Sequence, residues 1–179
     1  MGMGMAPKTV AVIGSDKGLE GSNAIAEELG TALARKGFQV VTGAGQGLPL
    51  KAAQAAKKAG AKVYGISPWE NADEHSKKQS DQNGVFDFIS YTGFGMKGRN
   101  VILIRSADAV AMVGGAMGTL NEFTVAFDEG KIIGVLEGSG GSSDIVKNVA
   151  PLGRDRGARI IYSNDPKKLV EEIAKLLEK

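Results

Sequence analysis

Short, uninterrupted apolar runs alternate along this chain with longer segments of helical period, and that alternation constrains the fold more than any other feature. Residues 10–13, 38–42, 62–66, 86–90, 109–113, 132–136 and 159–162 read as strands. Between the first two, Ile25, Leu29 and Leu33 are spaced by four with charged residues on the other faces, an amphipathic helix that Gly37 closes. Residues 50–59, closed by Gly60, read the same way, as do 96–105 and 120–129, the latter followed by Gly130. A short helix is expected at 144–149 after a flexible loop at 137–143. Asp165 caps the last helix, with Pro166 in its first turn and Leu169, Ile173 and Leu176 as its buried stripe. The polar, aperiodic stretch 69–84 reads as a loop.

Strands that are apolar throughout have no solvent-facing side, so they belong to a parallel sheet covered on both faces. With right-handed crossovers, residues 1–179 are expected to form one α/β domain. It is a doubly wound, mostly parallel Rossmann-like sheet of about seven strands with helices on both faces, after a disordered start at 1–7.

Composition removes several functions. The 22 Lys and Arg against 20 Asp and Glu leave a formal charge of +2 without a basic stripe, so neither nucleic acid nor a membrane surface is an expected partner. There is no cysteine and one histidine, His75, so no metal site is expected. No apolar run approaches the roughly 18–20 residues of a membrane span and no leader pattern is visible, which points to a cytoplasmic protein.

The 26 glycines are about double ordinary usage. They gather where strands end: Gly14-Ser15 after the first, Gly43, Gly45 and Gly47 after the second, Gly114, Gly115 and Gly118-Thr119 after the fifth. Ligands of open parallel sheets bind beyond that edge, and loops without Cβ bring backbone N–H groups close to an anion. Helices begin after the second and third of these loops, so together they read as a phosphate cradle, or as tight strand-to-helix turns. The dinucleotide fingerprint is matched only in bare form by Gly93, Gly95 and Gly98, with no acid at the end of a following strand, and no P-loop sequence occurs.

Gly14-Ser15, the 43–47 loop, Gly65-Ile66-Ser67-Pro68, Arg99, Ser106-Ala107-Asp108 and the stretch from Gly114 to Glu122 recur in an order that resembles the LONELY GUY-type proteins, often labelled lysine-decarboxylase-like. The resemblance spans about residues 8–137 and implies the Rossmann-like fold. Family enzymes cleave the N-glycosidic bond of nucleoside 5'-monophosphates and carry P-G-G-x-G-T-x-x-E with an upstream arginine. Aligned on Gly118-Thr119 and Glu122, that arginine is Arg99. Here the motif's proline is Gly114, its second glycine is Ala116, and Asn100 follows the arginine where the enzymes usually have lysine. These departures are more similar to a sister branch that includes molybdenum-cofactor carrier proteins.

The resemblance implies a small phosphorylated ligand held by Gly14, Ser15, Gly43, Gly45, Gly47, Gly114, Gly115, Gly118 and Thr119, with Arg99 and Glu122 as the catalytic pair if the chain is an enzyme. It requires no cofactor beyond a bound nucleotide or phosphate, and implies a homo-oligomer with sites near the interface. No pyridoxal-phosphate lysine signature supports a true decarboxylase.

Two readings of Glu122 stand side by side. Thr119-x-x-Glu122 has capping-box spacing, in which Thr119 caps the helix and Glu122 reaches back. The same carboxylate beside a ribose would stabilise an oxocarbenium-like charge or orient water. Arg99 is placed in the first turn of its helix, set to pair with phosphate or with Glu122. Asp108 reads as a cap or turn residue and Arg105 as a surface group. Met96 and Met117 read as base-pocket or core residues, Trp69 as a lid or interface anchor, and His75 as a solvated loop histidine.

Overall fold

The computed structural model describes residues 6–16, 20–79, 82 and 84–178. Residues 1–5 of the expected disordered start lie outside them, while Ala6 and Pro7 are exposed and irregular. Seven strands form one sheet: β1 (Thr9–Gly14), β2 (Gln39–Thr42), β3 (Val63–Ser67), β4 (Phe88–Tyr91), β5 (Ala109–Val113), β6 (Ile132–Leu136) and β7 (Arg159–Ser163). Their spatial order is β4-β3-β2-β1-β5-β6-β7, and every pairing is parallel. The sheet is therefore all-parallel, as the apolar runs require.

Register explains the two-sided burial. Val10 and Val12 of β1 enter one core with Leu29, Leu33, Leu48, Ala52 and Ile173, while Ala11 and Ile13 enter the other with Leu103, Ile104 and Phe123. The first core lies under α1 (Ser22–Arg35), α2 (Leu48–Lys58) and the C-terminal helix. The second lies under a helix at Gly95–Arg105, one at Met117–Asp128 and a short one at Ser142–Val149. At Gly30 a Cβ would strike the Ala52 carbonyl, so the α1–α2 contact needs glycine there. Asp165 caps the last helix as expected, accepting from the N–H groups of Lys167 and Lys168.

Two loop expectations are corrected. Within 69–84 a seven-residue helix, α3 (Ala72–Lys78), is present, and Asn71 caps it by accepting from the Glu74 N–H at 2.9 Å. Numbering the later helices in order, α4 is Gly95–Arg105, α5 Met117–Asp128, α6 Ser142–Val149 and α7 Pro166–Leu177. The 137–143 segment is not a free loop, because Ser139, Ser142 and Ser143 are buried against the loop after β5. Positive φ at Gly138, Gly140 and Gly141 permits that tight path. Asp108 ties the start of β1 to β5, accepting from the Thr9 N–H at 2.8 Å.

Candidate functional site

The strand order reverses between β1 and β5, and a cleft of about 400 Å³ opens at the carboxyl edge there. Gly14, Ser15, Gly43, Gly45, Gly118, Thr119, Arg99 and Glu122 line it, bringing together eight of the eleven residues singled out from sequence. The remaining three, Gly47, Gly114 and Gly115, are not among the lining residues. Gly47 is in the left-handed region (φ 74°), and a Cβ there would strike the Ser15–Asp16 backbone. The Gly114 N–H donates to Ser139 Oγ at 2.8 Å and the Gly115 N–H to Ser15 Oγ at 3.2 Å. Their carbonyls accept from the backbone N–H groups of Ser143 and Ser142. These glycines shape the wall and commit their amides inside the protein.

Sequence treats the loops before α2 and α5 alike, and the structure separates them. At α2 the Leu48 N–H donates to the Ser15 carbonyl at 3.0 Å, and Pro49 has no N–H to offer. At α5 the N-cap is Ala116, in extended geometry, and no side chain caps the helix. The first intrahelical bond is donated by the Leu120 N–H to the Ala116 carbonyl, which leaves the amides of Met117, Gly118 and Thr119 without an intrahelical acceptor. This helix start, with its partial positive charge, belongs to the cleft through Ala116, Gly118 and Thr119.

The capping-box expectation is therefore corrected. Helix α5 starts two residues before Thr119, and Glu122 does not reach back. Its Oε1 instead accepts from Arg99 Nη1 at 3.0 Å. Both side chains are buried, at 7% exposure for Arg99 and 9% for Glu122. Arg99 is the fifth residue of α4, in its second turn, because that helix begins at Gly95. Burial pushes the Glu122 carboxyl up to about 7 against the pull of the Arg99 charge. The same burial lowers the Arg99 guanidinium from its usual range, opposed by Glu122 and then by Asp16. The Arg99 Nε is buried without a hydrogen-bond partner.

The cleft also holds Asp16, Gln46, Lys78, Gln79, Lys97 and Asn100, none of which the sequence marks as a candidate ligand-binding or catalytic residue. Asn100 donates to Asn121 Oδ1 at 2.8 Å and so joins α4 to α5 beside the ion pair. Met96 lines the cleft and is half exposed, whereas Met117 is exposed and outside the lining, so neither is a core residue. Arg105 is a surface group paired with Glu129. His75 is corrected outright: it is buried at 4% exposure and hydrogen-bonded through both ring nitrogens. Among the described residues no cluster of three or more His, Asp or Glu side chains is arranged to hold a metal ion, and no helix is long and apolar enough to cross a membrane.

A family model described as the SLOG cluster4 family matches residues 7–170. The chain belongs to the SLOG cluster4 family. An uncharacterized protein from Archaeoglobus fulgidus is 33% identical over 128 residues, covering 72% of this chain and 79% of the relative. The crystal structure of the structural-genomics protein TM1055 is 30% identical with a TM-score of 0.79, covering 96% of this chain and 98% of the other. The molybdenum cofactor carrier protein of Chlamydomonas reinhardtii is 25% identical with a TM-score of 0.77, covering 97% of this chain and all of its own. This SLOG fold agrees with the Rossmann-like branch that the motifs resemble.

The fold also occurs in DNA processing protein A of Helicobacter pylori, a single-stranded DNA binder, at 21% identity and a TM-score of 0.66. That likeness is one of fold alone. The fold by itself therefore does not support the expectation, read from charge balance, that nucleic acid is no partner.

Proposed function

We propose that this chain binds a small phosphorylated ligand, a nucleotide or a phosphorylated cofactor, in the cleft between β1 and β5 and holds it without turnover. The observation that carries this reading is the uncapped start of α5 opening on a cleft also lined by Arg99, Lys97 and Lys78. Its free amides and dipole suit a phosphate dianion, and the nearby cations add long-range attraction. Gly118, with no heavy atom near the position of a Cβ, leaves room for close approach. The likeness to a molybdenum cofactor carrier supports a carrier of phosphorylated cargo.

A second reading is favoured by one observation, the buried Glu122 carboxyl held near neutrality beside a guanidinium. Here the cleft hydrolyses the N-glycosidic bond of a nucleoside 5'-monophosphate. Water adds at C1', the base leaves with a proton, and ribose 5-phosphate remains. Ionised Glu122 stabilises the oxocarbenium-like charge or takes the proton of the attacking water, and Arg99 restrains that carboxylate.

One experiment tests both readings. Wild type and Glu122→Gln are titrated calorimetrically with AMP, GMP, CMP, UMP and inorganic phosphate, then chromatographed for free base. Binding by folded protein without base release is the expected result. Base release by wild type, lost in the folded Glu122→Gln variant, replaces the carrier reading with the hydrolase. Binding of none of these probes overturns both.

A further inference from the structure

A single chain of hydrogen bonds crosses from the end of β3 to the cleft. Ser67 Oγ and His75 Nδ1 are 3.0 Å apart, His75 Nε2 and Gln82 Oε1 are 3.0 Å apart, and Gln82 Nε2 donates to the carbonyls of Ala44 at 3.0 Å and Gly45 at 2.8 Å. The direction of the bonds at Gln82 follows. Because the Gln82 amide nitrogen serves two carbonyls, its oxygen must accept, so His75 Nε2 carries the proton. Ser67 Oγ also accepts from the Trp69 N–H at 3.2 Å, which holds the hydroxyl oxygen beside His75 Nδ1. The imidazole is thereby fixed in one orientation, Nε2 toward Gln82 and Nδ1 toward Ser67. The Tyr91 ring packs edge-on against it, with centroids 5.7 Å apart.

The far end of the chain is strained backbone. Ala44 lies at φ 50°, the one residue other than glycine in the left-handed region among the described residues. Such a conformation persists where its surroundings over-determine it. Here the Ala44 N–H donates to Thr42 Oγ1, Gly65 leaves room beneath the Ala44 methyl, and Gln82 holds the next two carbonyls. Gly43, Gly45 and Gln46 of this stretch line the cleft. So do Lys78 and Gln79, where α3 ends, and the Gln79 N–H donates to the His75 carbonyl at 2.8 Å.

We propose that His75 is a positioning residue for the cleft, joining two parts of its wall, the 43–46 loop through Gln82 and the end of α3 through its own helix. This rests on the reading of the cleft as a ligand site. His75 touches no ligand. It fixes where the loop's peptide groups stand when the ligand arrives, the preorganisation that ligand affinity depends on.

The test uses the full chain and the variants His75→Asn, His75→Gln and Gln82→Met. Asparagine is too short to reach Gln82, whereas glutamine restores a donor near the Nε2 position. Amide exchange over 42–47 is read without ligand, and AMP and inorganic phosphate serve as probes with it. Gln82→Met and His75→Asn are expected to exchange at 44–46 about tenfold faster and to bind AMP about five- to tenfold more weakly, with His75→Gln close to wild type. Nitrogen NMR of the lone histidine is expected to show the Nε2–H tautomer. Unchanged exchange at 44–46 in folded Gln82→Met, equal loss of protection across the whole chain, or the Nδ1–H tautomer would overturn the proposal. If wild type binds neither probe, the ligand reading fails while the exchange result still decides the role of His75.

Discussion

At Gly43 there is room for a hydrogen atom and nothing larger, since a Cβ built there lands on the Arg99 guanidinium. This glycine exists to admit the arginine that pairs with Glu122. Sequence marks the position correctly but assigns it a backbone role at the phosphate, because residue spacing cannot report that a side chain 56 positions away fills the gap. Gly43→Ala is expected to fold, to lose about 1–3 kcal/mol by overpacking, and to bind AMP at least tenfold more weakly. Urea unfolding and calorimetry check the two parts, and wild-type affinity in the variant would detach Arg99 from the ligand site.

Glu122 adds a pH dependence with a definite sign. Its carboxyl titrates near 4.3 in an unfolded chain and at about 7 in the fold, so between those values the folded state binds more protons. Its contribution to stability is complete below pH 4 and is lost as pH rises through 7, on the order of 3 kcal/mol across the window. The midpoint of urea unfolding is expected to fall from pH 5 to pH 8 in wild type by more than in Glu122→Gln. Parallel curves for the two proteins would show that Arg99 holds Glu122 ionised throughout.

Two helices that look alike in sequence have different ends, and that difference is what makes one of them the candidate anion site. Both follow a glycine loop at a strand end, yet α2 spends its first amide on Ser15 and carries Pro49, while α5 starts bare. The apolar strands and amphipathic helices were legible because burial imposes their period directly. Helix α3 was not, since its seven residues bury only His75 and offer no apolar stripe, although Asn71 with Glu74 three positions on is a start signal that was available. The serines at 139, 142 and 143 were also opaque. Their task is to receive the amides and carbonyls of the 114–115 loop, which only the packed chain brings near.

The bare end of α5 yields a prediction of opposing effects. Ala116 is exposed and already in the extended geometry of an N-cap. Ala116→Asp is expected to stabilise the ligand-free protein by about 1 kcal/mol through capping and the helix dipole. The same carboxylate then occupies and repels the phosphate position, so affinity for inorganic phosphate is expected to fall at least tenfold. A more stable variant with unchanged phosphate affinity would move the anion elsewhere in the cleft.

On the scale of the whole molecule, the order β4-β3-β2-β1-β5-β6-β7 sends the chain outward on one side of β1 and then outward on the other. The helices that follow β1 and β5 consequently lie on opposite faces of the sheet, and the cleft lies where the two connections diverge. The elements that line it come from both halves of the sheet: the loops after β1 and β2, the end of α3, the second turn of α4 and the first turn of α5. A ligand there bridges segments more than 100 residues apart in sequence, so it stabilises the global fold rather than one loop. Mass action then sets the size of the effect. Ligand at one hundred times its Kd adds about 2.7 kcal/mol. For a domain of this length each kcal/mol raises Tm by about 2–4 °C, so a shift of about 5–11 °C is expected. Differential scanning of the protein with AMP and with adenosine at equal concentration checks it. The phosphate at α5 should make AMP the stronger stabiliser, and added salt should reduce its advantage by screening the attraction. Equal shifts from the two compounds would mean that the base and ribose alone carry recognition and that the α5 terminus is not where the ligand is held.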